Sequence, residues 1–477
     1  MLFKGGLSIN ENNLNAIGQN SFMPKLKITA ILLMGGLSTR FKSSLPKQLH
    51  KIGGKPIFIH TLERFLLLNE VTQIILPVPK LWKAEVEKEL FTLQEKNKIK
   101  VICGGETRQQ SSFLGLLACD SDTDYVIIHD AVRPFVSLEI LRKNLEEVVL
   151  HKAVDTCIPS TDTLIRSFEK TWIQDIPPRE EFLRGQTPQT FSFPLLIKAH
   201  KKALAEGIEN SSDDCQLVLR LPHQVKIVEG SELNIKITTE LDLFLAERLL
   251  SRSIEEFPSF LDSTISNLKG KIFAVTGGTG DIGKALCKKL LELEAIPIAI
   301  STSAESFAAD LTNHAETKAI FKAIHAKYGP LDGIINSIGT FSVKDFSSLS
   351  QEEMEKTIAS NLTSIIYCCQ CIQLKKGGHI INISSSSYSK GRKDYPIYSA
   401  SKAAVVNFTQ GLAEAMPDLF INVLVPQRTN SALRRANFPE EDSKLLLEPQ
   451  EIADKIAKLL NSSEFTGTII EVRKKHN

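Results

Sequence analysis

The sequence predicts an α/β protein of two doubly wound domains in tandem, each a mainly parallel sheet covered by helices. Three observations lead there. Strand-length apolar runs alternate with amphipathic stretches from residue 27 to about 250, and that alternation restarts at Lys271. The 477 residues also exceed one compact unit at roughly 150 residues per domain. Repeated β-then-α patterning gives parallel sheets, whose ligands sit beyond the carboxyl ends of the strands. The boundaries read as a polar tail over 1–24, a first domain over 25–250, a linker over 251–269 and a second domain over 270–477. Phe257, Pro258, Phe260 and Leu261 make the linker apolar enough to pack.

Composition excludes several classes. With 42% hydrophobic and 23% charged residues the chain can bury an ample core and does not read as disordered. Its 57 Lys and Arg against 55 Asp and Glu leave a net charge of +2, without the dense basic surface that nucleic acid selects for. Apolar runs such as Ile28 to Met34 have the length of a strand and not the ~20 residues of a bilayer span, so no membrane partner is expected. The polar N-terminus lacks a leader's apolar core, and Met23, just ahead of the first strand, is an alternative start. Eight scattered cysteines without a disulfide framework fit a reducing cytoplasm. Cys368 and Cys371 form a CxxC in an apolar-periodic stretch with no second pair, which reads as buried helix thiols and not as zinc ligands.

The first strand, Ile28 to Leu33, runs into Met34-Gly35-Gly36-Leu37-Ser38-Thr39-Arg40-Phe41 and then Leu45-Pro46-Lys47-Gln48. Glycines let backbone amides approach phosphate oxygens, and Arg40 and Lys47 bring fixed positive charge to where a triphosphate would lie. The order is not that of a P-loop; on its own the stretch would equally be a strand-to-helix turn with solvated cations. Gly104-Gly105-Glu106-Thr107-Arg108-Gln109-Gln110-Ser111 follows a strand ending at Cys103. His129-Asp130-Ala131-Val132-Arg133 follows the strand Tyr125 to Ile128. An aspartate at a strand's carboxyl end can hold a magnesium ion that bridges triphosphate oxygens; the alternative is a helix N-cap.

Together with Asp162-Thr163, Arg179, Gly185-Gln186-Thr187-Pro188-Gln189, Ser212-Asp213-Asp214 and Asn234-Ile235-Lys236, these residues resemble the cytidylyltransferases that activate sugar-alcohol phosphates. The resemblance covers residues 25 to 250, with Ser38 standing where the family usually has glycine. It implies that Arg40 and Lys47 stabilise the transition state at the α-phosphate, that Asp130 binds Mg2+, and that Ser111 contacts the cytidine. Gly35, Gly36, Gly105 and Arg133 join the nucleotide site, while Thr163, Arg179 and Lys236 hold the acceptor's phosphate.

In the second half, strand Lys271 to Val275 runs into Thr276-Gly277-Gly278-Thr279-Gly280-Asp281-Ile282-Gly283, in which Gly278, Gly280 and Gly283 spell GxGxxG ahead of a helix. Such a turn sets a dinucleotide pyrophosphate on a helix N-terminus, the Rossmann-like arrangement. The carboxylate expected about 20 residues on, to grip the ribose hydroxyls, is missing; strand Ile296 to Ile300 ends in Ser301-Thr302-Ser303, which favours NADP over NAD. Tyr398 and Lys402, four apart, share one helix face, and Ser385 lies thirteen residues before the tyrosine. A tyrosine beside an ammonium is expected to have a depressed pKa, suited to passing a proton to a carbonyl.

With Asp310-Leu311-Thr312, Asn336-Ser337-Ile338-Gly339 and Asn361, residues 270 to 475 resemble the short-chain dehydrogenase/reductase family. The resemblance implies a catalytic tetrad of Asn361, Ser385, Tyr398 and Lys402, with Gly277, Gly280, Ile282, Gly283, Ser301, Asp310 and Asn336 at the cofactor. Asp281 and Gln427 stand where the commonest family patterns have glycine.

The order of the halves is similar to that of the bifunctional CDP-ribitol synthases of capsule and wall-polymer pathways. That resemblance implies NADPH-dependent reduction of ribulose 5-phosphate to ribitol 5-phosphate, then reaction with CTP to CDP-ribitol and diphosphate. Arg428, followed by Arg434, Arg435 and Phe438, is the candidate ligand for the ketose phosphate. The competing reading is a methylerythritol phosphate cytidylyltransferase fused to a reductase of other purpose, and Gly185-Gln186 is taken to favour ribitol. A binding protein that keeps the cofactor fold without turnover is a third, opposed by Ser385, Tyr398 and Lys402. A homodimer is expected by analogy.

Overall fold

Strand β1 (Ile28–Leu33) is buried at every position, as an interior parallel strand covered on both faces must be. The computed structural model describes residues 26–35, 45–91, 96–253, 268–462 and 466–474. The N-terminal tail with Met23, the loop residues Gly36, Ser38 and Arg40, and the linker residues Phe257 to Leu261 therefore lie outside the described residues. The chain forms two compact units, residues 1–37 with 61–234, and residues 38–60 with 235–477.

Numbered along the chain, a short antiparallel hairpin of β2 (Lys51–Ile52) and β3 (Lys55–Pro56) belongs to the second unit. The first unit holds β4 (Val71–Val78), β5 (Ile99–Cys103), β6 (Tyr125–Asp130), β7 (Ala153–Pro159), β8 (Leu183–Ser192) and β9 (Lys226–Glu229). Its seven-stranded sheet has the order β5-β4-β1-β6-β8-β7-β9. Every neighbouring pair is parallel except those made by β8. The carboxyl ends of β1, β5 and β6 thus share one edge, with Leu33 opposite Asp130 in register. Ile31, Val126, Ile128 and Phe191 lie in the core on one side of this sheet.

The second unit carries β10 (Ile272–Thr276), β11 (Ile296–Ile300), β12 (Leu331–Asn336), β13 (Leu374–Ile383), β14 (Phe420–Pro426) and β15 (Ile469–Val472). They form an all-parallel sheet in the order β11-β10-β12-β13-β14-β15. The chain leaves β10 for β11 on one side and returns to β12 on the other. The crevice beyond the carboxyl ends of β10 and β12 is accordingly the switch point where such sheets take their ligand. An isolated parallel bridge, Ser301 to Ala308, extends the sheet past β11. The CxxC falls on helix Ser364–Cys371 with Cys368 and Cys369 buried, and all eight cysteines are free. Among the described residues no helix is long and apolar enough to cross a membrane.

Candidate active sites

In the first unit one hydroxyl gathers the glycines. Ser111, on helix Arg108–Leu117, accepts from Gly105 N–H at 3.1 Å and donates to Gly105 O at 3.3 Å. A Cβ on Gly35 would stand 3.2 Å from Ser111 Oγ, and one on Gly104 3.1 Å. The ends of β1 and β5 therefore close on the same side chain, which would have to give by a few tenths of an ångström to admit a Cβ at either glycine.

Asp130 ends β6 and is buried. Its N–H donates to Thr187 Oγ1 at 3.0 Å, and its carboxylate accepts from Arg133 Nε at 3.4 Å. It caps no helix, because the next one, Leu138–His151, is capped by Ser137. Arg133 also donates to Asn234 O at 2.7 Å, and burial lowers its pKa against the pull of Asp130. Arg133, placed among the substrate contacts by its motif, thus also pairs with Asp130. Magnesium takes one or two carboxylates and completes its shell with substrate phosphates and water. Among the described residues no three metal-capable side chains cluster. A single buried carboxylate at a strand end fits an ion that arrives with a triphosphate.

Gly185-Gln186, which was taken to favour ribitol, lies at the start of the strand that carries the Thr187-Pro188-Gln189 motif. Gln186 is buried, donates to Ser231 O at 2.8 Å and accepts from Asn234 Nδ2 at 3.1 Å, so its amide clasps β8 to the chain after β9. Thr163 and Arg179 sit on the excursion between β7 and β8, where Arg179 donates to Thr161 O at 3.3 Å. That arm is closed by an Arg166–Asp175 bridge and exposes Phe168 (82%) and Trp172 (74%), far more apolar surface than a solvated loop needs. Lys47, half-buried, opens the turn Lys47–Leu49, and Lys236 is exposed; both belong to the second unit.

The cofactor turn of the second unit is built by exclusion. Gly277 has φ +65° and lies so close to Ser337 O that a Cβ would be 2.9 Å away. A Cβ on Gly283 would be 2.2 Å from Gly277 O. Gly280 is the N-cap of helix Asp281–Glu292, whose free amides make an anion cradle. Asp281 accepts from the Ala432 N–H at 2.6 Å, so the carboxylate that replaces the usual glycine ties the turn to the chain after β14. Past β11, Thr279 Oγ1 bonds Ser301 Oγ at 2.9 Å and Ser303 Oγ at 3.0 Å, a hydroxyl cluster with no carboxylate in those bonds. Asp310 is occupied with Thr312, through N–H at 2.9 Å and hydroxyl at 2.7 Å.

Asn336, expected at the cofactor, is part of a rung across three strands. Its amide donates to Asn382 Oδ1 at 2.8 Å and accepts from Thr276 Oγ1 at 3.2 Å, residues that are its register partners on β13 and β10. It is fully buried, and its side chain ties the carboxyl ends of these strands together.

A cavity of about 730 Å³ joins Ile282, Asn361, Ser385, Tyr398, Lys402 and Arg428. Tyr398 and Lys402 lie one turn apart on helix Pro396–Ala415, with Lys402 Nζ 5.8 Å from the tyrosine ring centre. Lys402 donates to Ile383 O at 3.0 Å, and burial lowers its pKa to about 8. The expected depression of the phenol is absent: burial raises Tyr398, and a hydrogen bond with Ser385 opposes this only in part. The phenol therefore stays protonated at neutral pH, as a proton donor requires.

Asn361 sits in a π-helical turn, Ala359–Thr363, a break that recurs at functional sites. Its Nδ2 donates to Thr340 O and Thr357 O, both at 2.9 Å, and its buried Oδ1 has no partner in the protein. Arg428 shares Glu441 with Arg434, at 2.7 Å from each, and Arg434 lies 4.0 Å over the Phe438 ring. Arg392 and Arg473 also line the cavity and were not singled out from sequence. Arg473 follows β15, so its place after a strand was the available signal.

The family model for 2-C-methyl-D-erythritol 4-phosphate cytidylyltransferase matches residues 28–252, and that for short chain dehydrogenase matches residues 271–442. Over 468 residues, 94% of this chain and 96% of the relative, the chain is 34% identical to a bifunctional ribulose 5-phosphate reductase/CDP-ribitol pyrophosphorylase of Haemophilus influenzae. Two solved structures are similar to one half each. One is 4-diphosphocytidyl-2C-methyl-D-erythritol synthase from Anaerococcus prevotii, at 31% identity over 47% of this chain and 99% of that one, TM-score 0.43. The other is the aldohexose dehydrogenase of Thermoplasma acidophilum, at 25% identity over 44% and 94%, TM-score 0.41.

Proposed function

We propose that two separate active sites make CDP-ribitol in sequence, on the premise that this chain belongs to the family of bifunctional ribulose 5-phosphate reductase/CDP-ribitol pyrophosphorylases. It has both activities, a short-chain reductase and a cytidylyltransferase. We assign the transferase to residues 25–250 and the reductase to 270–477, joined by 251–269.

In the reductase, NADPH supplies the hydride. The glycine turn with Gly277, Gly280, Ile282 and Gly283 receives the pyrophosphate. Ser301, with Thr279 and Ser303, receives the 2'-phosphate, which no carboxylate in that hydroxyl cluster repels. Ser385 holds the ketose carbonyl, and Tyr398 gives it a proton as the hydride arrives at carbon. Lys402 and the unpartnered Oδ1 of Asn361 return that proton through water. Arg428 takes the substrate's phosphate, for which Glu441 now stands in.

In the transferase, a phosphate oxygen of ribitol 5-phosphate attacks the α-phosphorus of CTP, and diphosphate leaves. Arg40 and Lys47 compensate the charge that develops there, Asp130 holds Mg2+, and Ser111 with Gly35, Gly36 and Gly105 shapes the cytidine side. Lys236, Thr163 and Arg179 hold the acceptor. Alignment and charge carry this chemistry, without a covalent intermediate. A homodimer belongs to the same reading, supported by the exposed apolar arm that bears Thr163 and Arg179. The eight free cysteines support the cytoplasm.

The observation that carries the reading is the cavity that unites Ser385, Tyr398, Lys402 and Asn361 with arginines. Its test is a purified-protein assay in which NADPH, ribulose 5-phosphate, CTP and Mg2+ yield CDP-ribitol and diphosphate. The methylerythritol phosphate reading replaces this one if methylerythritol 4-phosphate is the better CTP acceptor and ribulose 5-phosphate leaves NADPH unoxidised.

A further inference from the structure

The helix that closes the transferase match, Glu240–Ser253, belongs to the same compact unit as the reductase sheet. There it packs closely: a Cβ on Gly53, in the hairpin of β2 and β3, would stand 2.5 Å from Leu250 and 2.8 Å from Thr468, just before β15. One charged group on this helix reaches further. Arg248 Nη1 donates to Tyr388 Oη at 2.6 Å, and its guanidinium lies 5.6 Å from the Tyr388 ring centre.

Tyr388 lines the reductase cavity. Its backbone N–H donates to Ser385 O at 2.9 Å, and its hydroxyl donates to Glu471 Oε1 at 3.4 Å. Glu471 in turn holds Arg473, another residue of the cavity wall, through Nε at 2.9 Å and Nη2 at 2.6 Å. A connected path thus runs from the transferase's last helix to the wall beside Ser385.

We propose that Arg248 is a positioning residue of the reductase: through Tyr388 and Glu471 it fixes the cavity wall that carries Arg473, a second cation of the cavity in which Arg428 takes the ketose phosphate, so the transferase's terminal helix is a working part of the second active site. The inference rests on the reductase reading above. Burial raises the Tyr388 phenol, which therefore stays neutral beside Arg248 and donates to Glu471. Arg248 touches none of Ser385, Tyr398 and Lys402 in these bonds, so its loss should affect ketose phosphate binding and not the hydride step.

The test uses the full chain. The unaltered protein must oxidise NADPH with ribulose 5-phosphate; if it does not, the reductase reading fails before this one is reached. Given that activity, Arg248→Ala should raise KM for ribulose 5-phosphate about tenfold, the size of one charge-assisted hydrogen bond, with KM for NADPH and kcat within about twofold. Tyr388→Phe should match it, the double variant should lose no more than either single one, and Arg248→Lys should recover part of the affinity. CDP-ribitol formation from supplied ribitol 5-phosphate should persist in all of them. An unchanged ketose KM, additive losses in the double variant, or equal loss of both activities would each overturn the proposal.

Discussion

Two glycines six and three residues past Gly277 make a graded test of the cofactor turn. In Gly283→Ala the new methyl would lie 2.2 Å from Gly277 O and 2.7 Å from Gly278 Cα. Both neighbours are backbone of the turn itself, so no side chain can swing away and the turn must open. Overpacking of that kind costs about 1–3 kcal/mol; at about 2 kcal/mol, NADPH affinity falls roughly 30-fold. In Gly280→Ala the methyl meets only Gly277 O, at 3.3 Å, with φ at −76°, which any residue adopts. Losing a good N-cap there costs under about 1 kcal/mol, or roughly fivefold in affinity. NADPH dissociation constants from fluorescence titration of both variants, with cytidylyl transfer as the control for folding, measure the gap. If Gly283→Ala binds NADPH as tightly as Gly280→Ala, the turn does not cradle the pyrophosphate.

Lys47→Ala should lower CTP-dependent diphosphate release about 100-fold or more, the usual loss of roughly 3 kcal/mol for one transition-state charge partner. NADPH oxidation should stay intact, and wild-type diphosphate release would rule the assignment out. Ser301→Asp sets a carboxylate in the hydroxyl cluster with Thr279 and should weaken NADPH roughly tenfold, about 1.4 kcal/mol of like-charge repulsion, with NADH little changed. Equal NADH and NADPH affinities in the unaltered protein would refute the NADP preference. Lys402 has a folded pKa of about 8, below its unfolded value of about 10.4, so the unfolded chain binds the extra proton between those pH values. Stability relative to Lys402→Met should therefore rise as pH climbs from 8 to 10.5 and stay flat below; melting curves at pH 7, 8 and 9.5 check this, and a difference independent of pH would show the ammonium is not desolvated.

What could be read from the sequence follows from how local each feature is. The glycine turn after β10 and the Tyr398–Lys402 pair were legible because φ, close approach and helical spacing are properties of a few consecutive residues. The strands were legible for a related reason: buried parallel strands such as β1 and β10 read as unbroken apolar runs. The partners of Asn336 and Gln186 were not legible, because they come from strands and loops distant in sequence. Thr276 and Asn382 claim one amide, Ser231 and Asn234 the other.

The pKa of Tyr398 misled, since the four-residue spacing to Lys402 says nothing of how deeply the cavity buries the phenol, and burial is the larger effect. Arg248 was invisible for the strongest form of this reason. Its partner Tyr388 lies 140 residues away, across the linker between two halves that each match a family model of their own. A reading that assigns each residue to its own half has no way to credit a transferase helix with holding the reductase wall. The coupling exists only once the chain has folded residues 235–253 onto the second unit, so a reductase cut free at residue 270 would keep its tetrad and lose this support.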